Sequence, residues 1–120
     1  MIDHVKLYVS ELERSVALYE RALAPLGFDI KLRLSKLGVA FGRERPELWL
    51  TQSGDGRVTV VHVALRADSR DAVDAFHAAA LDAGARDNGG PGVRAYHPRY
   101  YGAFVLDADG NNLEAVCHTG

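Results

Sequence analysis

The stretch Ile2-Asp3-His4-Val5-Lys6-Leu7-Tyr8-Val9-Ser10 returns later in the chain as Val60-Val61-His62-Val63-Ala64-Leu65-Arg66-Ala67-Asp68. Each copy sets one histidine in an alternating run and is followed by a helical pattern, a glycine stop and, later, a closing strand. The closing strands are Glu47-Leu48-Trp49-Leu50-Thr51 in the first half and Asn112-Leu113-Glu114-Ala115-Val116 in the second. A repeat of this kind restricts the chain to two copies of one supersecondary unit packed together. A quasi-twofold axis between them would carry His4, His62, Trp49 and Glu114 toward one centre. Two imidazoles and a carboxylate form a ligand set suited to a divalent metal ion.

Alternation over residues 2–9 places His4, Lys6 and Tyr8 on one strand face and Val5, Leu7 and Val9 on the other. Ser10 with Glu13 reads as a capping box, and Leu12, Val16, Tyr19, Leu23 and Leu26 recur at helical spacing until Gly27. Strands are expected at about 28–34, 37–42 and 47–52, and Ser53-Gly54-Asp55-Gly56 then breaks the pattern. The first unit, about 1–53, is therefore βαβββ.

The second unit, about 57–120, has a strand at about 58–66 and a helix from Asp68 or Ser69 to Ala83, with Gly84 as its stop. Asn88-Gly89-Gly90-Pro91-Gly92 reads as a flexible linker into the aromatic segment Tyr96-His97-Pro98-Arg99-Tyr100-Tyr101, a candidate lid. Strands at about 101–106 and 112–118 are joined by the turn Asp107-Ala108-Asp109-Gly110-Asn111. In the last strand Asn112, Glu114, Val116 and His118 share one face, and Leu113, Ala115 and Cys117 the other.

A chain of 120 residues is expected to be a single domain with a core of its own. A formal net charge of −2 gives no global field to attract nucleic acid or an acidic membrane. No apolar run approaches the roughly 20 residues of a membrane span, and no basic-then-apolar leader opens the chain. The expectation is a cytoplasmic protein whose partner is a small-molecule substrate. The single Cys117 reads as a small buried hydrophobe.

The combination of Asp3-His4-Val5, Leu12-Glu13-Arg14-Ser15 leading to Tyr19-Glu20, His62-Val63-Ala64 and Asp107-Ala108-Asp109-Gly110-Asn111-Asn112-Leu113-Glu114 resembles the vicinal oxygen chelate superfamily. That superfamily includes glyoxalase I, fosfomycin-resistance thiol transferases, bleomycin-binding proteins and extradiol dioxygenases. The resemblance implies an α+β fold in which two βαβββ modules form a cup-shaped mixed sheet with the helices on the outside. It also implies a homodimer, and a divalent ion (Fe, Mn, Ni or Zn) held by His4, His62 and Glu114. The fourth family position falls on Trp49, which cannot ligate; proteins similar to glyoxalase I carry a glutamate there. The tyrosine of the fosfomycin-resistance members corresponds to Phe104 here.

These residues then receive roles. Glu114 is expected to double as a catalytic base, and Trp49, Tyr8, Phe104, Tyr100, His97 and Arg94 are expected to contact substrate. Arg94 would attract an anionic group; Lys6 is expected to carry its charge outward on its stem; His118 lies too far along its strand to reach the same ion. Two functions follow. One is a metal-dependent enzyme whose ion polarises two substrate oxygens as a Lewis acid. The other is a metal-free protein that sequesters an aromatic ligand in the same cup through Trp49, Phe104 and Tyr100.

Overall fold

The computed structural model describes residues 1–35 and 37–119; Lys36 and Gly120 lie outside them. Module one runs β1 (Val5–Val9), α1 (Leu12–Leu23), a 3-10 turn (Ala24–Leu26), β2 (Asp29–Leu34), β3 (Gly38–Gly42) and β4 (Leu48–Gln52). Module two runs β5 (His62–Arg66), α2 (Arg70–Asp82), β6 (Arg86–Val93), β7 (Tyr101–Leu106) and β8 (Asn112–Cys117). The result is an α+β fold of two βαβββ modules.

The repeat read from the sequence holds at the level of strand pairing. The sheets are ordered β1-β4-β3-β2 and β5-β8-β7-β6, and in each the opening strand lies parallel to the closing one while the other pairs are antiparallel. The register matches as well, since Lys6 stands opposite Trp49 as Ala64 stands opposite Glu114. Leu7 and Val9 of β1, Leu48 and Leu50 of β4, and Leu113 and Ala115 of β8 point to the helices. Helices α1 and α2 pack on each other, so both modules share one core built on Tyr19, Leu23, Val73 and Phe76. By alternation, the other face of each sheet points away from that core.

Two local expectations are corrected. Helix α1 starts with Glu11 as N-cap and makes no side-chain cap of the Ser10–Glu13 type. The Ser10 hydroxyl donates instead to Asp109 Oδ1 at 2.5 Å, and the Leu12 N–H is satisfied by Gln52 Oε1 at 2.9 Å. Residues far away in sequence have thus taken over a cap that local spacing assigns to neighbours. Helix α2 does start as expected, with Ser69 Oγ accepting from the Ala72 N–H at 3.1 Å. The second correction concerns residues 88–92, which form part of β6 rather than a flexible linker. This strand edges the sheet against β7, with register shifts between Asp87 and Gly89 and between Gly89 and Gly92. Pairing with β7 overrides the low strand propensity of glycine, and the irregularity marks where the propensity fails.

One buried bond ties the modules together. The Tyr19 hydroxyl of α1 donates to Asp107 Oδ2 at 2.6 Å, and Asp107 also accepts from the N–H groups of Asp109 and Asn111, both at 2.9 Å. Burial, then the nearby Asp107 charge, pushes the Tyr19 phenol well above its ordinary value of 10.0. Tyr19→Phe is expected to cost about 1–3 kcal/mol, because Asp107 keeps its buried position and loses a donor. A folded value raised above the unfolded one means that the phenol's contribution is complete below about pH 10 and is lost as pH rises toward the folded value. Urea denaturation at neutral and alkaline pH checks both statements; an unchanged midpoint for the variant would remove Tyr19 from the account.

Candidate functional site

Module two gathers its polar side chains around Glu114. This carboxylate stands on β8 facing away from the helices, yet is only 1% exposed. His62 Nε2, at the start of β5, donates to Glu114 Oε1 at 2.7 Å, and the Tyr100 hydroxyl donates to Oε2. Both carboxylate oxygens are therefore held. Desolvation, then the bond to Glu114, pushes the Tyr100 phenol up to about 12, so it remains a donor throughout the neutral range. Gly102 of β7 makes this possible: a Cβ there would lie 3.2 Å from Glu114 Oε2 and 3.3 Å from Tyr100 Cε1. The sequence gives no direct sign of Gly102, although a glycine opposite the expected ligand strand is the available clue.

Around this group stand other expected contact residues. Phe104 packs beside His62 with ring centroids 5.9 Å apart, and the Arg94 guanidinium lies 5.3 Å from the Phe104 centroid while donating to Gly90 O at 2.6 Å. Arg94 is thus tied to its own loop on one side. His97 meets His118 at 3.0 Å between Nε2 and Nδ1, and both rings pack against Tyr100. His118 therefore belongs to the layer outside Tyr100, a placement that its distance along the strand from Glu114 foreshadows.

Module one builds a separate site from the equivalent positions. His4, just before β1, shares a cavity of about 500 Å³ with Asp3, Lys6, Leu34 and Trp49. His4 Nδ1 donates to Asp3 Oδ1 at 2.7 Å, which leaves Nε2 as the nitrogen with a free lone pair. That bond, with the nearby Arg45 charge, holds the Asp3 carboxyl below its ordinary value. The half-buried Trp49 rests on Gly38, where a Cβ would come 3.4 Å from its Cε3. Gly38 and Gly102 thus serve matching positions in the two sheets. Tyr8 shares the open face of β1 but lines a different cavity, of about 480 Å³, with Ser53, Asp55 and Thr59.

The structure brings His62, Glu114, Tyr100, Phe104, Arg94 and His97 together, sets His4 beside Trp49, and keeps Tyr8 apart from both. Among the described residues, no three His, Cys, Asp or Glu side chains of one chain stand close enough to hold a metal ion. The donor types nevertheless suit one: an imidazole oriented by a carboxylate on module one, and an imidazole–carboxylate pair on module two. No helix among the described residues is long and apolar enough to cross a membrane.

The model of the Glyoxalase/Bleomycin resistance protein/Dioxygenase superfamily matches residues 1–115. A glyoxalase/bleomycin resistance protein from Albidiferax ferrireducens T118 is similar in structure with a TM-score of 0.83 and 28% identity, over 98% of both chains. Lactoylglutathione lyase from Agrobacterium tumefaciens is similar with a TM-score of 0.72 and 20% identity, over 98% of this chain and 92% of that one. TioX from Micromonospora sp. ML1 gives 0.73 and 19%, over 98% of both. At such identities the last two likenesses concern the fold alone. No curated protein matches.

Proposed function

This chain belongs to the Glyoxalase/Bleomycin resistance protein/Dioxygenase superfamily, and we propose that it is a metal-dependent enzyme of small oxygen-chelating substrates whose site is shared by two protomers. His4 of one protomer and His62 and Glu114 of its partner are the ligands in this reading. The observation that carries it is the His62–Glu114 pair, a buried carboxylate and an imidazole 2.7 Å apart on a sheet face directed away from the core. A carboxylate so deeply buried is stabilised by a cation placed against it.

The dimer has its own support. β1 and β5 are edge strands of their sheets. Beside their two histidines stand apolar side chains left in the open: Ile2 is 74% exposed and Val60 71%. Neighbouring exposed apolar residues flanking both candidate ligands fit a surface that a second copy covers. A small-molecule substrate, a homodimer and a cytoplasmic place of action belong to the same reading.

A divalent ion at these ligands would supply Lewis-acid polarisation of the substrate oxygens. The chain does the rest. Tyr100 fixes the Glu114 carboxylate through Oε2, so Oε1, beside His62, is the oxygen that would hold the ion and, once released from it, take up a proton. Trp49 and Phe104 line the two half-sites with apolar surface and exclude water. Calorimetric titration with Mn, Fe, Ni and Zn tests the proposal, and the absence of binding that depends on His62 and Glu114 would overturn it.

One observation favours a second reading. Both oxygens of Glu114 are satisfied by His62 and Tyr100 without any ion, as a metal-free cup that sequesters a ligand would need. The same titration divides the two.

Trp49 carries a further expected result. It occupies the β4 position equivalent to Glu114, so a three-ligand site keeps more open positions than a four-ligand isomerase site. Turnover of the methylglyoxal–glutathione adduct is expected to be negligible even with Ni or Zn added, and Trp49→Glu should tighten metal binding by roughly tenfold or more. Robust isomerisation by the unmodified protein would contradict this use of Trp49.

A further inference from the structure

The modules differ where their repeat would make them alike. Two residues beyond its histidine, module two has Ala64 opposite Glu114, whereas module one has Lys6 opposite Trp49. A carboxylate beside a methyl group has been exchanged for an ammonium beside an indole. At this pair of positions module one therefore carries a cation and module two a carboxylate.

The exchange lies inside the cavity of about 500 Å³ in module one. Its cationic groups are not equally free. Arg45 Nη1 donates to Asp3 O at 2.8 Å, and its guanidinium lies 3.9 Å from Asp3 Oδ2 and 4.0 Å from Glu47 Oε1. His4 is engaged by Asp3. Lys6 alone has no carboxylate within ion-pair distance among the described residues. Next to it the Trp49 indole rests on the β3 backbone at Gly38, and Leu34 stands open at 49% exposure. An unpaired ammonium beside an aromatic wall recognises charge and shape together.

We infer that this cavity binds a small organic anion with a planar, conjugated body, Lys6 pairing with the negative group and Trp49 with the plane. The cavity holds His4 and Trp49, so it is the module-one half of the proposed shared site, and the inference rests on that reading for its place while using none of the bonds that hold Glu114. Arg45, although compensated, adds to the positive potential at the rim.

Trp49 is the only tryptophan, so its indole N–H gives one assignable signal in a nitrogen–proton correlation spectrum. Titration with cinnamate and with its neutral amide, both in excess chelator, tests the site. Cinnamate is expected to shift the indole signal saturably and to bind roughly tenfold or more tightly than cinnamamide, as one charge-assisted contact implies. Lys6→Met should abolish the preference, Lys6→Arg should retain it, and added salt should weaken cinnamate alone. Equal binding of the two probes, no shift at the indole, or a preference that survives Lys6→Met would overturn the inference. If the Lys6→Met variant fails to fold, the salt dependence of the wild-type preference decides. With metal removed throughout, failure here leaves the metal reading standing, and failure of the metal reading shows separately in the calorimetric titration.

Discussion

Replacing His62 by alanine is expected to lower the affinity for a divalent ion by more than about 100-fold, from a wild type that takes up about one ion per chain. Residues that only orient a ligand typically contribute 10–100-fold, and His62 is proposed as a ligand itself. Tyr100→Phe then provides an internal standard. It removes the donor to Glu114 Oε2 and leaves His62 and Glu114 in place, so its loss should fall nearer tenfold. Ligation by Nε2 requires the His62 proton to sit on Nδ1, so metal binding exchanges the hydrogen bond to Glu114 for a bond to the ion. His97 and His118 supply the control for a misplaced ion, since their imidazoles stand as a close pair, 3.0 Å apart. Metal uptake that survives His62→Ala and disappears with His97→Ala would move the ion out of the proposed site.

What the sequence disclosed, and what it withheld, divides along the range of the interactions. The duplication was legible because alternation and helical spacing are local. Parity alone places Val5, Leu7 and Val9 toward the helices, whereas the matching registers Lys6–Trp49 and Ala64–Glu114 come from the strand pairing. The cap of α1 was not legible, because Gln52 and Asp109 reach Leu12 and Ser10 from distant positions. The 88–92 segment hides its strand for the same reason: its glycines are poor strand formers by themselves, and β7 supplies the partner that makes them one.

Within the candidate site, residue types were readable and their grouping only partly so. Tyr100, Phe104, His97 and Arg94 stand near Glu114 because β6 and β7 fold the intervening segment back beside β8. Tyr8 shares the parity of Lys6 but opens into another cavity, since Thr59 crosses beside it with its N–H donating to Tyr8 O at 3.1 Å. Gly38 and Gly102 carry no chemistry. Their lack of a side chain is nevertheless what lets Trp49 and Tyr100 settle on the open faces.

A site shared between protomers is tested most directly by mixing His4→Ala chains with Glu114→Ala chains under separate affinity tags and measuring metal bound to the purified mixed dimer. Each parent homodimer has a ligand missing from both of its sites. In the mixed dimer one site lacks both residues, and the other unites the His4 of the Glu114→Ala chain with the His62 and Glu114 of the His4→Ala chain. The account predicts about one tightly bound ion per mixed dimer, and none on either parent, by the ligand count. A verified mixed dimer that binds no ion, from a wild type that does bind one through His62, would contradict it and remove His4 of the partner protomer from the site.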